Sequence, residues 1–354
     1  MIFSADSHFI EPKNFYLDRL PRSYRGYAPR VIEMDGSIFW TDSYTLVPLE
    51  TSLGAFCKPE ELAFRGGLDI YNQVSDIEKR IQFQNEDFVA CEVLLPDTGL
   101  LWRVREVQTK LMCFDIYNSY ADEIEKQTER FLMPRVLPSM DEVYLNNIID
   151  NLIDSQRCAR SFVIDIRFMA KIIQDKAYFS LMEKLNEVGA NIILHANGYA
   201  SDYNFRYPYM AKASMLCVNA MELLQDAYMR KFFDRFTNVK FIFSEVGYKW
   251  IDYLAEKIEY YTKRYEFLEK MDKPEIPFLQ VCRKNIYFTF TNDLPVNLSL
   301  IYTGAENLLY GTDFPHADST YLLSKQYLHQ FEGVNKHIAH SFFVDNGRRV
   351  FQCK

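Results

Sequence analysis

The sequence predicts an α/β protein whose strands close into a (β/α)8 barrel of the TIM type, and three observations carry that expectation. Eight short apolar, β-prone runs recur along the chain with helical periodicity between them, the pattern of successive parallel βαβ units. Five residues with metal-binding side chains stand where such runs end, the face on which a barrel gathers its site. The chain of 354 residues has no Ser/Gly-rich linker, repeat or low-complexity tract, so residues 1–354 are expected to form a single domain.

The first run, Met1–Ala5, is too short for a helix and stops at Asp6-Ser7-His8. Residues two apart on a strand share a face, so Asp6 and His8 can reach one ion together. An excursion over residues 9 to about 70 follows, with Asp35-Gly36 between the β-prone stretches Val31–Met34 and Ile38–Trp40. That is a hairpin signal, and a hairpin inserted after the first strand reads as a lid or pocket wall.

Regular alternation begins near residue 70. Asp76–Asp87 has helical spacing and Val89–Pro96 is the second strand. A helical stretch from about 104 to 130 precedes the third, Leu132–Leu137. Asp141 caps a helix carrying Val143, Ile148 and Leu152, and Ser161–Arg167 is the fourth strand. A helix near 175–187 stops at Gly189 before the fifth strand, Asn191–His195. After a loop and helical region over 197–236 come Val239–Glu245, a helix at about 248–270, and Asn285–Phe290. Helical 294–303 and Asn307–Asp313 complete the circle, and 318–354 reads as helices.

Composition narrows the function classes. A hydrophobic share of 48%, with 28 Phe and 24 Tyr, supplies a large core. A formal charge of −8 offers no general attraction to nucleic acid or to an anionic membrane. No signal-peptide pattern or membrane-length apolar window is present, so a cytoplasmic protein with a small-molecule substrate is expected. The seven Cys contain no CxxC pair and read as reduced thiols, with Cys91 and Cys217 in apolar contexts.

The candidate site is assembled from strand ends: Asp6 and His8 on the first, His195 on the fifth, Glu245 on the sixth, Asp313 on the eighth. Each has an ordinary alternative as a turn former, a helix-terminal carboxylate or a hydrogen-bonded loop histidine. A metal site explains all five placements together. Imidazole and carboxylate suit a borderline divalent ion, which selects Asp6, His8, His195 and Asp313 as ligands.

The blocks Asp6–Pro12, Leu20–Arg25 with Ala28–Arg30, Phe243–Glu245, Asn285–Phe290 and Tyr310–Ser319 resemble the amidohydrolase-2 branch of the amidohydrolase superfamily. That branch also contains aminocarboxymuconate-semialdehyde decarboxylase and related aromatic-acid decarboxylases. The resemblance implies a distorted, metal-bearing barrel with ligands at Asp6, His8, His195 and Asp313, a base role for Asp313, and often a homodimer. Two positions depart from the pattern: Asp6 stands where many members have His, and Glu245 where most present His. The fourth strand has Asp165 and Arg167 but no evident bridging Lys, so one ion is expected, and a second if Glu245 is a ligand.

Zinc is the first expectation for the ion, with manganese and iron as alternatives. Such an ion lowers the pKa of bound water and polarises a carbonyl. The leading expectation is hydrolysis of an amide, ester, lactone or thioester, with Asp313 taking the water's proton and Glu245 or His316 serving the leaving group. Non-oxidative decarboxylation of an aromatic or enolic acid is the alternative, with Arg167 as the cation for the substrate carboxylate. A catalytically silent ligand-binding barrel is the third. Asn197 and Tyr199, in the aromatic-rich loop after the fifth strand, are further candidates for substrate contact.

Overall fold

The computed structural model describes the chain apart from residues 50, 57–66, 98–99, 157–159, 196–205, 207, 270–271, 292–301 and 354. Twelve strands are described: β1 (Ile2–Phe9), β2 (Arg30–Met34), β3 (Ser37–Thr41), β4 (Leu46–Pro48), β5 (Val89–Pro96), β6 (Phe131–Leu132), β7 (Arg135–Val136), β8 (Ser161–Val163), β9 (Asn191–His195), β10 (Lys240–Ser244), β11 (Ile286–Phe290) and β12 (Leu308–Tyr310). β2, β3 and β4 form a separate antiparallel sheet. The other nine are parallel and run around a distorted (β/α)8 barrel as β1-β5-β6 and β7-β8-β9-β10-β11-β12. β6 and β7 are two pieces of the expected third strand. They are separated by Met133-Pro134, where proline supplies no N–H to a ladder.

Most expected strands are present with small shifts, and besides the divided third strand two others differ for physical reasons. β1 does not stop before Asp6 but runs through it to Phe9, with an irregularity against β5 between Ser4 and Ser7. Such a bulge re-aims side chains while keeping the strand paired. β8 ends at Val163 because Asp165 caps the next helix, accepting from the Arg167 and Phe168 N–H groups.

The junction of β12 and β1 is made largely by individual bonds. The Asp313 N–H donates to the Asp6 carbonyl at 2.9 Å, and the His8 N–H to the Phe314 carbonyl at 2.8 Å. Behind them the hydroxyls of Ser4, Ser7 and Thr312 form a buried triangle, and the Thr312 N–H donates to Ser4 Oγ. Gly311 is required at this approach: a Cβ there would lie 2.5 Å from the Asp6 Cβ.

Between β1 and β5 the chain contributes most of a third apolar cluster that includes Ile38, Trp40, Leu53, Tyr71 and Phe314, with Phe56, Phe83 and Tyr321 against the Phe314 ring. The 310 segment Thr51–Phe56 lies against the turn after β12. Ala55 N–H donates to the Pro315 carbonyl, and a Cβ on Gly54 would meet the Ala317 Cα at 2.4 Å. Among the described residues no helix is long and apolar enough to cross a membrane.

Asp87 ties the helix before β5 to the helix Ser324–His340. At the end of the helix Ile77–Glu86 it accepts from the Ser324 N–H and hydroxyl, and burial pushes its carboxyl up to about 6. A carboxyl harder to ionise in the folded state destabilises that state as pH rises from the ordinary Asp value to the raised one. Asp87→Asn removes this dependence. In denaturant titrations the variant should gain on the wild type as pH goes from about 4 to about 6, by at most about 3 kcal/mol, and stay level above.

Candidate metal centre

The potential ligands come from the C-terminal ends of β1, β9, β10 and β12. β1 carries Asp6 and His8, β9 ends on His195, Glu245 follows β10, and Asp313 and His316 follow β12. Asp6 and His8 are fully buried, and only the Glu245 side chain keeps appreciable exposure. The donors fall into two overlapping groups, Asp6/His8/His195/Glu245 and His8/Glu245/Asp313/His316, each with its ligand atoms within 4.8 Å of one another.

The carboxylates converge on imidazole nitrogens. His8 Nε2 lies 3.1 Å from Asp313 Oδ1, 3.2 Å from Glu245 Oε1 and 3.8 Å from Asp6 Oδ1. His195 Nε2 is 3.1 Å from Glu245 Oε1. Yet Asp6 Oδ1, Asp313 Oδ1 and both His195 nitrogens are buried without a hydrogen bond of proper geometry. Buried polar atoms left unsatisfied are costly. Buried oxygens and imidazole nitrogens that converge in this way, several of them unpaired, therefore fit a divalent cation.

Residues behind the donors fix their aim. His8 Nδ1 lies 3.4 Å from the Pro96 carbonyl, an acceptor only, so Nδ1 carries the proton and Nε2 faces the cluster. Thr289 Oγ1 donates to Asp6 Oδ2 at 2.9 Å and accepts from the Glu245 N–H. His316 stacks on His8 with centroids 3.6 Å apart, places Nδ1 3.0 Å from Asp313 Oδ1, and sets Nε2 3.3 Å from Asp97 Oδ1. Ser52 donates to the same Asp97 oxygen. Glu245 and Asp313 both have left-handed backbones, at φ +61° and +52°, a conformation that costs non-glycine residues energy and clusters at functional sites.

The family sequence profile described as Amidohydrolase matches residues 81–353. The chain belongs to the amidohydrolase family. No curated protein sequence matches this amidohydrolase. Solved structures resemble it along nearly their whole length. An amidohydrolase from Mycobacterium avium subsp. paratuberculosis is 14% identical with a TM-score of 0.73, covering 100% of this chain and 98% of its own. 5-Carboxyvanillate decarboxylase from Sphingomonas paucimobilis is 15% identical with a TM-score of 0.68, covering 100% and 99%. The 5-carboxyvanillate decarboxylase of Novosphingobium aromaticivorans, solved with manganese and 4-hydroxy-3-methoxy-5-nitrobenzoic acid, is 12% identical with a TM-score of 0.70, covering 99% and 96%. At these identities the likeness is one of fold.

Electrostatics in the amidohydrolase centre follow from burial and crowding. Burial, with Glu245 adding to it, pushes the Asp6 carboxyl up to about 6. Burial and His316 work to lower His8, but the adjacent Asp313 and Glu245 carboxylates outweigh them and, with no ion bound, carry it to about 9. Burial likewise opposes the Glu245 charge, yet His195, His316 and His8 hold that carboxyl well below the usual range. Nearby Glu11, accepting from the Tyr16 hydroxyl, is pushed up to about 7 by burial and by Asp97.

The expected ligands Asp6, His8, His195 and Asp313 thus lie in the same cluster as Glu245 and His316. Arg167 lies apart: its side chain is 70% exposed in the first turn of the helix Ile166–Gln174, 3.8 Å from Asp165. Asn197 and Tyr199 fall outside the described residues. Three supporting residues escaped the sequence reading. Thr289 is a lone hydroxyl in an apolar strand, Asp97 immediately follows β5, and Arg80 is one charge on a helix of mixed polarity. Only the position of Asp97 at a strand end was a usable signal.

The amidohydrolase should retain a divalent transition metal through purification. His8→Ala and His195→Ala should each lose it while keeping the wild-type circular dichroism. Elemental analysis of the three proteins measures this, and metal retained by both variants would remove them from the ligand set.

Proposed function

We propose that this chain is a metal-dependent, non-oxidative decarboxylase of an aromatic or enolic acid. The observation that carries the reading is an imidazole held between carboxylates beside an ion-ready cluster: His316, between Asp97 and Asp313. Loss of CO2 requires that the substrate's oxygens be held and that the departing carboxylate be replaced by a proton on carbon. Asp6, His8, His195 and Asp313 would hold a divalent ion, manganese or zinc, which when bound would supply the charge to anchor and polarise those oxygens.

The protein's own groups supply the proton. Burial opposes the His316 charge, but Asp313, Asp97 and Glu245 overcome it and raise the imidazole well above its ordinary value. His316 turns Nδ1 to the side of the cluster, from which a proton can be delivered, while Asp97 holds Nε2 and sets the ring's direction. Glu245, kept ionised by the surrounding imidazoles, is hydrogen-bonded to His8 and lies 3.1 Å from His195 Nε2. The two 5-carboxyvanillate decarboxylases that share the fold, one of them with manganese, support this class over its alternatives.

Hydrolysis of a carboxylic-acid derivative is the second reading. It is favoured by Asp313, whose buried Oδ1 faces the cluster and is placed to take a proton from water. A panel of hydroxybenzoic and enolic acids assayed for CO2 release, run beside esters, lactones and thioesters, separates the two. CO2 release supports decarboxylation. Turnover of the second set alone replaces that reading with hydrolysis, and neither leaves a ligand-binding barrel.

On a decarboxylated substrate, His316→Asn should lower kcat by about 10²–10⁴-fold, the usual worth of a general acid. Asp97→Asn should lower kcat by about 10- to 100-fold with metal content unchanged, as for a group that orients its neighbour. Steady-state kinetics with elemental analysis reads both.

A further inference from the structure

One buried cation lies outside the ligand cluster and has no part in the chemistry above. Arg80, on the helix Ile77–Glu86, is 2% exposed. Its Nη1 donates to the His8 carbonyl at 3.0 Å and its Nη2 to the Phe314 carbonyl at 3.2 Å, while the guanidinium lies 4.3 Å from the Phe314 ring centroid. His8 is on β1, and Phe314 directly follows Asp313 and begins the cis Phe314–Pro315 turn that leads to His316. A single side chain therefore grips the backbones of both segments whose donors face one another across the β12–β1 junction.

The charge is balanced by a buried carboxylate, and each of the three guanidinium nitrogens donates a hydrogen bond. Arg80 Nε donates to Glu92 Oε2 at 2.9 Å, Gln84 donates to the same oxygen, and Ser7 donates to Glu92 Oε1 at 3.2 Å. Glu92 is on β5 and Ser7 lies between the two β1 donors, so the brace spans the helix, β5, β1 and the turn after β12. Glu92 is itself 2% exposed. A buried ion pair held by hydrogen bonds of this kind is weak as a source of stability and well suited to specifying one arrangement. A planar fork can hold two carbonyls at a fixed separation, which an ammonium cannot do.

We propose that Arg80, with Glu92 behind it, is a positioning residue that sets the spacing of His8 and Asp313 for metal binding. The inference rests on the metal-centre reading above. A ligand pair on segments remote in sequence binds an ion tightly only if its spacing is held before the ion arrives, and groups behind the ligands commonly contribute 10- to 100-fold in affinity.

The test is metal affinity, measured on apo-protein by competition with a chelator using Mn2+ and Zn2+. Arg80→Lys keeps the charge and loses the fork. It should bind both ions about 10- to 100-fold more weakly than wild type. Arg135→Lys is the control: Arg135 is also fully buried, on Asp122, Glu125 and the Met133 carbonyl, and it touches no ligand segment. It should lower the melting temperature and leave metal affinity as in wild type. Equal affinity in Arg80→Lys and wild type, or equal losses in Arg80→Lys and Arg135→Lys, overturns the proposal. If Arg80→Lys does not fold, Glu92→Gln carries the test, since it keeps the side chain's size and removes the counter-charge. A weakening of metal binding is then expected, and unchanged affinity overturns it. Failure of the wild type to bind either ion overturns the metal-centre reading itself and the proposal with it.

Discussion

The centre depends on one junction, where the last barrel strand meets the first. Its direct backbone links include Asp313 N–H to the Asp6 carbonyl and His8 N–H to the Phe314 carbonyl, with the Ser4, Ser7 and Thr312 hydroxyls packed behind them. Asp6 and Asp313 are more than three hundred residues apart in the chain. Their meeting follows from closing the circle of strands and from no local preference. Gly311 lets the backbones come close enough, and any larger residue would push the junction open at the point where the ligands meet.

Crowding three carboxylates and three imidazoles into the barrel mouth is unfavourable for the bare protein. Two of those carboxylates also have left-handed backbones. The surroundings offset this. Thr289 ties Asp6 to the Glu245 backbone, Pro96 orients His8, and Asp97 orients His316. Below them the barrel interior is aliphatic and aromatic, with Val93, Val163, Ile193, Ile242, Tyr287 and Leu309 in one buried cluster. Rigid, dry packing of this kind gives polar groups at the rim defined positions.

Much of this was legible in the sequence because it depends on periodicity. Apolar runs of strand length marked β5, β9, β10 and β11 closely, and the Asp35-Gly36 turn marked the β2–β3 hairpin. Polar residues ending those runs pointed to His195, Glu245 and Asp313. What escaped depends on single contacts between distant segments. Nothing in the pattern around Arg80 separates a guanidinium that grips two carbonyls from one in water, and Thr289 looks like any β-prone residue. The third strand was read as one run although Pro134 interrupts it, and the fourth was read too long because Asp165 serves as a cap. In both cases a local hydrogen-bonding requirement overrode the apolar pattern.

The segment Thr51–Phe56 has a bearing on how such enzymes diverge. Gly54 sits against the Ala317 backbone with no room for a methyl group, Ala55 is bonded to Pro315, and Ser52 reaches Asp97. The excursion between the first two barrel strands is thus keyed to the turn that bears His316. Transplanting it between relatives would carry a foreign surface onto an unmatched seat. The insertion and the turn act as one fitted unit, so a change of shape in either is expected to require a matching substitution in the other.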